Sequence, residues 1–228
     1  MALVSFGLIG PALYQLLLVN ASISDDTLVR IGQCGELKNI EHMDVSENLI
    51  EKSFPAFLKL MRDQSDHLQR IVCCDNPGMK NSASLTIPKS KNSLQKLTRL
   101  DLSGSLKGDE QVLQLAQSSC FKNLRYLSLK SCKVTSDGFN RLLTSKFLRS
   151  LEVLVMRHNY IKHVEGPFGD LDACNERQLG RDIMLLKLLD LRDNKLGKIF
   201  LREAANFLEE TVVLLWNNPF AEDCESIQ

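Results

Sequence analysis

Leu151, Leu154, Met156, Asn159 and Ile161 stand at places 1, 4, 6, 9 and 11 of a frame that this chain repeats. Leu124, Leu127, Leu129, Cys132 and Val134 fill the same places, as do Leu186, Leu189, Leu191, Asn194 and Leu196. Earlier copies are Ile40-Met43-Val45-Asn48-Ile50 and Leu68-Ile71-Cys73-Asn76, then Leu97-Leu100-Leu102 with Ser105 at the Asn place. Leu13-Leu16-Leu18-Ala21-Ile23 fits near the N-terminus, and Val213-Leu215-Asn218-Phe220 is a degenerate last copy. Most copies follow one another at 27 to 29 residues, a period that signals stacked repeats.

The spacing carries its own physics. Apolar places 4 and 6 with polar residues between them are the alternation of a strand buried on one face. A buried Asn at place 9, where the chain leaves the strand, can satisfy turn backbone groups, and Cys fills the same space with a weak donor. No single copy can bury its own apolar face, so neighbours must stack to make a core.

The segments that return the chain read as helical in several copies. Ser24 before Asp25-Asp26 is an N-cap with an acidic first turn, and Thr135-Ser136-Asp137 plays the same part before Phe139, Leu142 and Leu143. Asp109-Glu110 precedes Val112, Leu113 and Leu115, and Leu201–Glu210 consists of good helix formers. Asn81–Ser93, rich in Ser, Lys and Asn with Pro88, reads as a loop. Val164–Arg181 is longer than the other return segments and reads as an insertion, the kind of place where function can reside.

These residues resemble the leucine-rich repeat superfamily across nearly the whole chain. Ala116–Leu124 with Cys132-Lys133-Val134-Thr135-Ser136-Asp137-Gly138 resembles the cysteine-containing subclass, and Ile31–Leu37 echoes its first half. Asp190-Leu191-Arg192-Asp193-Asn194 resembles the ribonuclease-inhibitor type, and Trp216–Phe220 resembles the closing repeat of many such arrays. The resemblance implies an α/β fold: a curved solenoid of about eight repeats, with a parallel sheet on the concave side and helices outside. One domain is expected over 1–228, with repeats over 12–220, an N-terminal cap over 1–11 and a tail over 221–228. The resemblance also implies protein binding through exposed strand positions.

Composition agrees with a solvated array and narrows the partners. Lys and Arg together number 28, as do Asp and Glu, so net charge gives no pull toward nucleic acid or an anionic membrane. The expected partner is a protein. Seven cysteines, Cys34, Cys73, Cys74, Cys120, Cys132, Cys174 and Cys224, are odd in number and scattered, which favours reduced thiols and a cytoplasmic home over a disulfide framework. Met1–Ser24 carries no charge, and the alternative is that Met1–Ala21 is a cleaved signal and the role extracellular and receptor-like. It lacks a basic n-region, and part of it is already in register with the first copy. Asn20-Ala21-Ser22 is a glycosylation sequon only under that alternative.

Catalytic chemistry has no positive support. His42, His67, His158 and His163 are the only histidines, and His158, His163 and Cys174 match no zinc spacing. No phosphate-cradling loop or nucleophile elbow is present. Asp170, Asp172 and Glu176 in the insertion read as solvated charges. The expectation is no enzyme, cofactor or metal.

Places 2, 3, 5, 7 and 8 are expected on the concave surface. They make that face acidic near Glu41, His42, Asp44 and Glu47, and mixed but more basic beyond Arg70 and Asp75. The expected partner-binding set is Arg99, Arg125, Tyr126, Lys130, Arg157, His158, Arg192 and Trp216, because Arg, Tyr and Trp are enriched at binding hot spots.

Overall fold

The computed structural model describes residues 13–33, 35–64, 67–81, 94–164, 186–197 and 211–220. The expected cap, tail, helix over 201–210 and insertion over 165–181 lie outside them, as do residues 82–93 of the expected loop.

Each copy of the frame places one three-residue strand at places 3 to 5: β1 Gln15–Leu17, β2 His42–Asp44, β3 Arg70–Val72, β4 Arg99–Asp101, β5 Tyr126–Ser128, β6 Val153–Val155, β7 Leu188–Asp190 and β8 Val212–Leu214. These eight strands of the described residues form one parallel sheet in chain order. Their register joins like place to like place, so that Leu100 lies beside Leu127 and Leu127 beside Leu154. Every outward residue therefore stacks on its counterpart in the next copy.

A left-handed residue at place 8 turns the chain beyond each strand. Asn20, Glu47, Asp75, Ser131, His158, Asp193 and Asn217 all have positive φ, and Gly104 completes the series at +67°. Asn, Asp and Gly tolerate this conformation best, and no β-branched residue stands at the place. A Cβ on Gly104 would also fall against the Asp75 carboxylate.

Place 9 forms a rung after every turn but the first, buried in all copies but the last. Asn159 Oδ1 accepts the backbone N–H groups of Cys132 and Val134, while its Nδ2 donates to the carbonyls of Leu129, Met156 and Arg157. Asn48, Asn194 and Asn218 repeat this pattern, and Asn76 follows it with Ile50 N–H as donor. Cys132 substitutes a weak thiol donor to Leu102 O at 3.4 Å, and Ser105 a hydroxyl to Cys73 O at 2.7 Å. In every case the rung reaches back to the place-6 carbonyl of the preceding copy. The expected roles of Asn and Cys at this place hold in detail.

Among the described residues four α-helices lie on the other side: α1 Asp25–Gly32, α2 Phe54–Gln64, α3 Asp109–Ala116 and α4 Ser136–Leu143. Ser24 and Thr135 cap α1 and α4 as their sequence predicts, whereas α3 starts after Gly108 without a side-chain cap. The first-turn acids do more than face the helix dipole. Asp25 accepts three backbone N–H groups and the hydroxyl of Ser53 in the next copy, and Asp109 takes Thr135 N–H and Oγ1–H. Gly138 is needed where α4 meets that contact, since a Cβ would strike Asp109 and Val134.

Helix α2 was not anticipated, although Phe54, Phe57, Leu58 and Met61 follow the i, i+3, i+4, i+7 spacing and are buried. The core is continuous, with Ile71, Leu100, Leu127, Leu154 and Leu189 from the sheet against Leu28, Phe57, Val112, Leu115, Phe139 and Leu142 from the helices. Two copies depart from the frame at place 11. There Gly78 and Lys107 yield the inward position to Met79 and Leu106, one residue later and one earlier.

Candidate functional site

The strand face away from the helices is where partners can reach. The parallel register sorts its side chains into columns, and the place-3 column reads Gln15, His42, Arg70, Arg99, Tyr126, Val153, Leu188 and Val212 from β1 to β8. It changes character halfway, from cationic and aromatic to apolar.

In the middle of the face the Arg99 guanidinium lies 4.2 Å from the centre of the Tyr126 ring, a cation–π contact. Arg70, Arg99, Asp101 and Tyr126 line a shallow hollow over β3 to β5. Burial pushes the Tyr126 hydroxyl pKa up and the charge of Asp101 adds to this, so the phenol stays a proton donor.

Beyond β5 the expected residues meet in ion-paired groups. Glu152 holds both Arg125 at 3.1 Å and Lys187 at 2.9 Å. Asp193 gathers Arg157 at 2.5 Å, Asn217 at 2.7 Å and the His158 ring at 3.5 Å, and its pKa is lowered by the hydrogen bonds from Asn217 and Arg157. Arg192 grips Asp190 with two parallel hydrogen bonds of 2.8 and 2.7 Å and reaches to 5.9 Å from the Trp216 ring. Burial opposes the charge on Asp190, but Arg192 overcomes that and holds the carboxyl below its usual value. Arg157, His158, Arg192 and Trp216 thus form one cluster. Arg99 and Tyr126 form a second, and Arg125 stands beside Glu152. Lys130 is exposed at place 7, next to Arg157 in the following copy.

Two places differ from a simple exposed strand. His158 sits in the left-handed turn, because place 8 carries the reversal. Place 5 is outward but not uniformly exposed, since Ser128 and Asp190 are covered by their neighbours.

Charge-based reading also missed an apolar field. Val153, Val155, Leu188 and Leu214 are only half-buried on this face, and Val212 and Trp216 are 59% and 65% exposed. Val153-Leu154-Val155 and Val212–Trp216 were visible as runs that break the polar–apolar alternation. At the opposite end Tyr14, Leu17 and Val19 are exposed as well.

His163 donates its backbone N–H to Ser136, and Cys174 lies outside the described residues. Among the described residues no group of three His, Cys, Asp or Glu could hold a metal ion, and no helix is long and apolar enough to cross a membrane.

No protein-family model and no curated protein matches the sequence. Three solved structures are similar to it at low identity. A plant peptide hormone receptor in complex with RGF2 is 14% identical (TM-score 0.43), with 82% of this chain and 30% of that one covered. A leucine-rich repeat protein of Leptospira interrogans is 19% identical (TM-score 0.46; 92% and 57% covered). An internalin of Listeria monocytogenes is 16% identical (TM-score 0.36; 82% and 64% covered). The chain spans less than two thirds of each of these structures. The frame in the sequence, the in-register strands and the place-9 rungs are sufficient by themselves: this chain folds as a leucine-rich repeat solenoid.

Proposed function

We propose that the chain is a protein-interaction module whose partner docks on the concave strand face, and that it works in the cytoplasm as an adaptor or effector. One observation carries the reading. Leu188, Val212 and Trp216 leave apolar surface open to solvent beside arginines already fixed by Asp190 and Asp193. Apolar anchors within a polar rim are the anatomy of a protein interface. The pre-paired arginines lose little side-chain entropy when a partner arrives.

Affinity capture with mass spectrometry tests this, with a variant replacing Arg125, Tyr126 and Arg157 together by Ala as control. The expected outcome is loss of the captured partner with an unchanged thermal unfolding curve. Equal capture by the variant would remove the concave face from the function.

The cytoplasmic half of the proposal leans on the thiols. Cys73, Cys120 and Cys132 are buried and none is in a disulfide, and Cys74 is also free. A reducing compartment preserves such thiols. A free-thiol count and the N-terminal mass of protein taken from its native source separate this from a secreted origin.

A further inference from the structure

The arginines of the strand face are not equivalent. Arg125, Arg157 and Arg192 each have a carboxylate within ion-pair distance, but Arg70 and Arg99 have none among the described residues. They are register partners on adjacent strands, so two like charges stand about 4.8 Å apart at the backbone. His42 precedes them in the same column, and its Nδ1 is buried with no hydrogen-bond partner. The place-5 acids of β2 and β4 are turned to other work: Asp44 accepts Ser46 N–H at 3.0 Å, and Asp101 accepts both N–H and hydroxyl of Ser103. Two guanidinium groups, one resting on the Tyr126 ring, present donors with no carboxylate to receive them. Because Asp101 lines the hollow, a singly charged anion suits it better than a doubly charged one.

The geometry points to the Arg70–Arg99–Tyr126 hollow as the seat of an Asp or Glu side chain from an extended segment of the protein partner, with that segment's apolar side chains on Val153, Leu188 and Val212. This rests on the concave-face reading and deepens it. The distance along the column decides the pattern. From Arg99 on β4 to Leu188 on β7 is three strand spacings, roughly 14 Å, which an extended peptide crosses in about four residues. The segment runs across the strands, carrying its acid about four positions from its apolar anchor.

Selection of random dodecapeptides displayed on phage against the full chain tests this. The same selection is run on R70A/R99A, R70E/R99E and L188E/V212E, each first checked for an unchanged unfolding curve. The wild type is expected to enrich peptides with Asp or Glu about four residues from Leu, Ile, Phe or Val. A synthetic peptide of that consensus should bind R70A/R99A about tenfold more weakly or worse, and R70E/R99E should select Lys or Arg at the acid position. If the selected peptides need Leu188 and Val212 but show no acidic preference, or bind R70A/R99A equally well, the carboxylate seat is wrong while the concave-face reading stands. If selection yields no consensus, or one indifferent to all three variants, both fall.

Discussion

Cys132 donates its backbone N–H to Asn159 Oδ1 at 3.1 Å, and the two residues hold the same place in consecutive turns of the solenoid. A thiol with two weak bonds at 3.4 Å thus sits directly under an amide with five strong ones. Both fill the space, but they differ in how many backbone groups they satisfy.

That difference sets the first prediction. Asn159→Ala leaves two N–H groups and a buried carbonyl without their partner, and should cost about 2–4 kcal/mol at 1–3 kcal/mol per orphaned group with partial relaxation. Asn159→Cys should recover part of the loss, since its neighbour already works with a thiol. Thermal unfolding of the two variants checks the order, and an alanine variant as stable as the cysteine variant would show that a thiol does not replace the amide at this place.

Gly104 gives a second test. Gly104→Val puts a β-branched residue at φ +67°, next to the Asp75 carboxylate, and should cost about 2 kcal/mol or more. Ser131→Gly, at φ 58° in the same place one copy later, should be neutral to within about 1 kcal/mol. Chemical denaturation resolves both values.

The Asp190–Arg192 pair predicts a pH signature. The folded carboxyl of Asp190 titrates below its ordinary 3.8, so its contribution is complete above that value and is lost as pH falls through the lowered one. The melting-temperature gap between wild type and Asp190→Asn should therefore be constant from about pH 5 to 7 and close below about pH 4. A gap that widens in acid would contradict the assignment.

The thiols supply a fourth. Burial pushes the Cys132 pKa up to about 11 and raises that of Cys73 well above the ordinary range, leaving little thiolate at neutral pH. Iodoacetamide at pH 7.5 should spare both in the folded protein and modify both in denaturant, as peptide mapping would reveal.

Much of this was legible in the sequence because the frame ties each residue to a place. Leu127 and Leu154 had to be inward, Asn159 and Cys132 had to be rungs, and Ser24 and Thr135 had to cap, since local chemistry alone decides these roles. What the frame could not reveal depends on neighbouring copies. Whether Arg157 is paired depends on Asp193 in the next turn, and the burial of Asp190 follows from Arg192 folding back over it. The apolar field at Val153, Leu188 and Val212 stands in the sequence as apolar residues at outward places, but only the register across copies brings them side by side.

The rungs also have a direction. Asn48 serves Leu18, Ala21 and Ile23; Asn159 serves Leu129, Cys132 and Val134; Asn218 serves Leu191 and Leu196. Through the rungs each turn is completed by the copy that follows it, whereas the Asp25 and Asp109 contacts run the other way. During synthesis a turn must therefore wait for one further copy to leave the ribosome before its buried amides and carbonyls are satisfied. Shortening is unequal for the same reason: removing the last copy leaves backbone N–H groups of the turn before it without their acceptor, whereas removing the first opens only the Asn48 side chain to water.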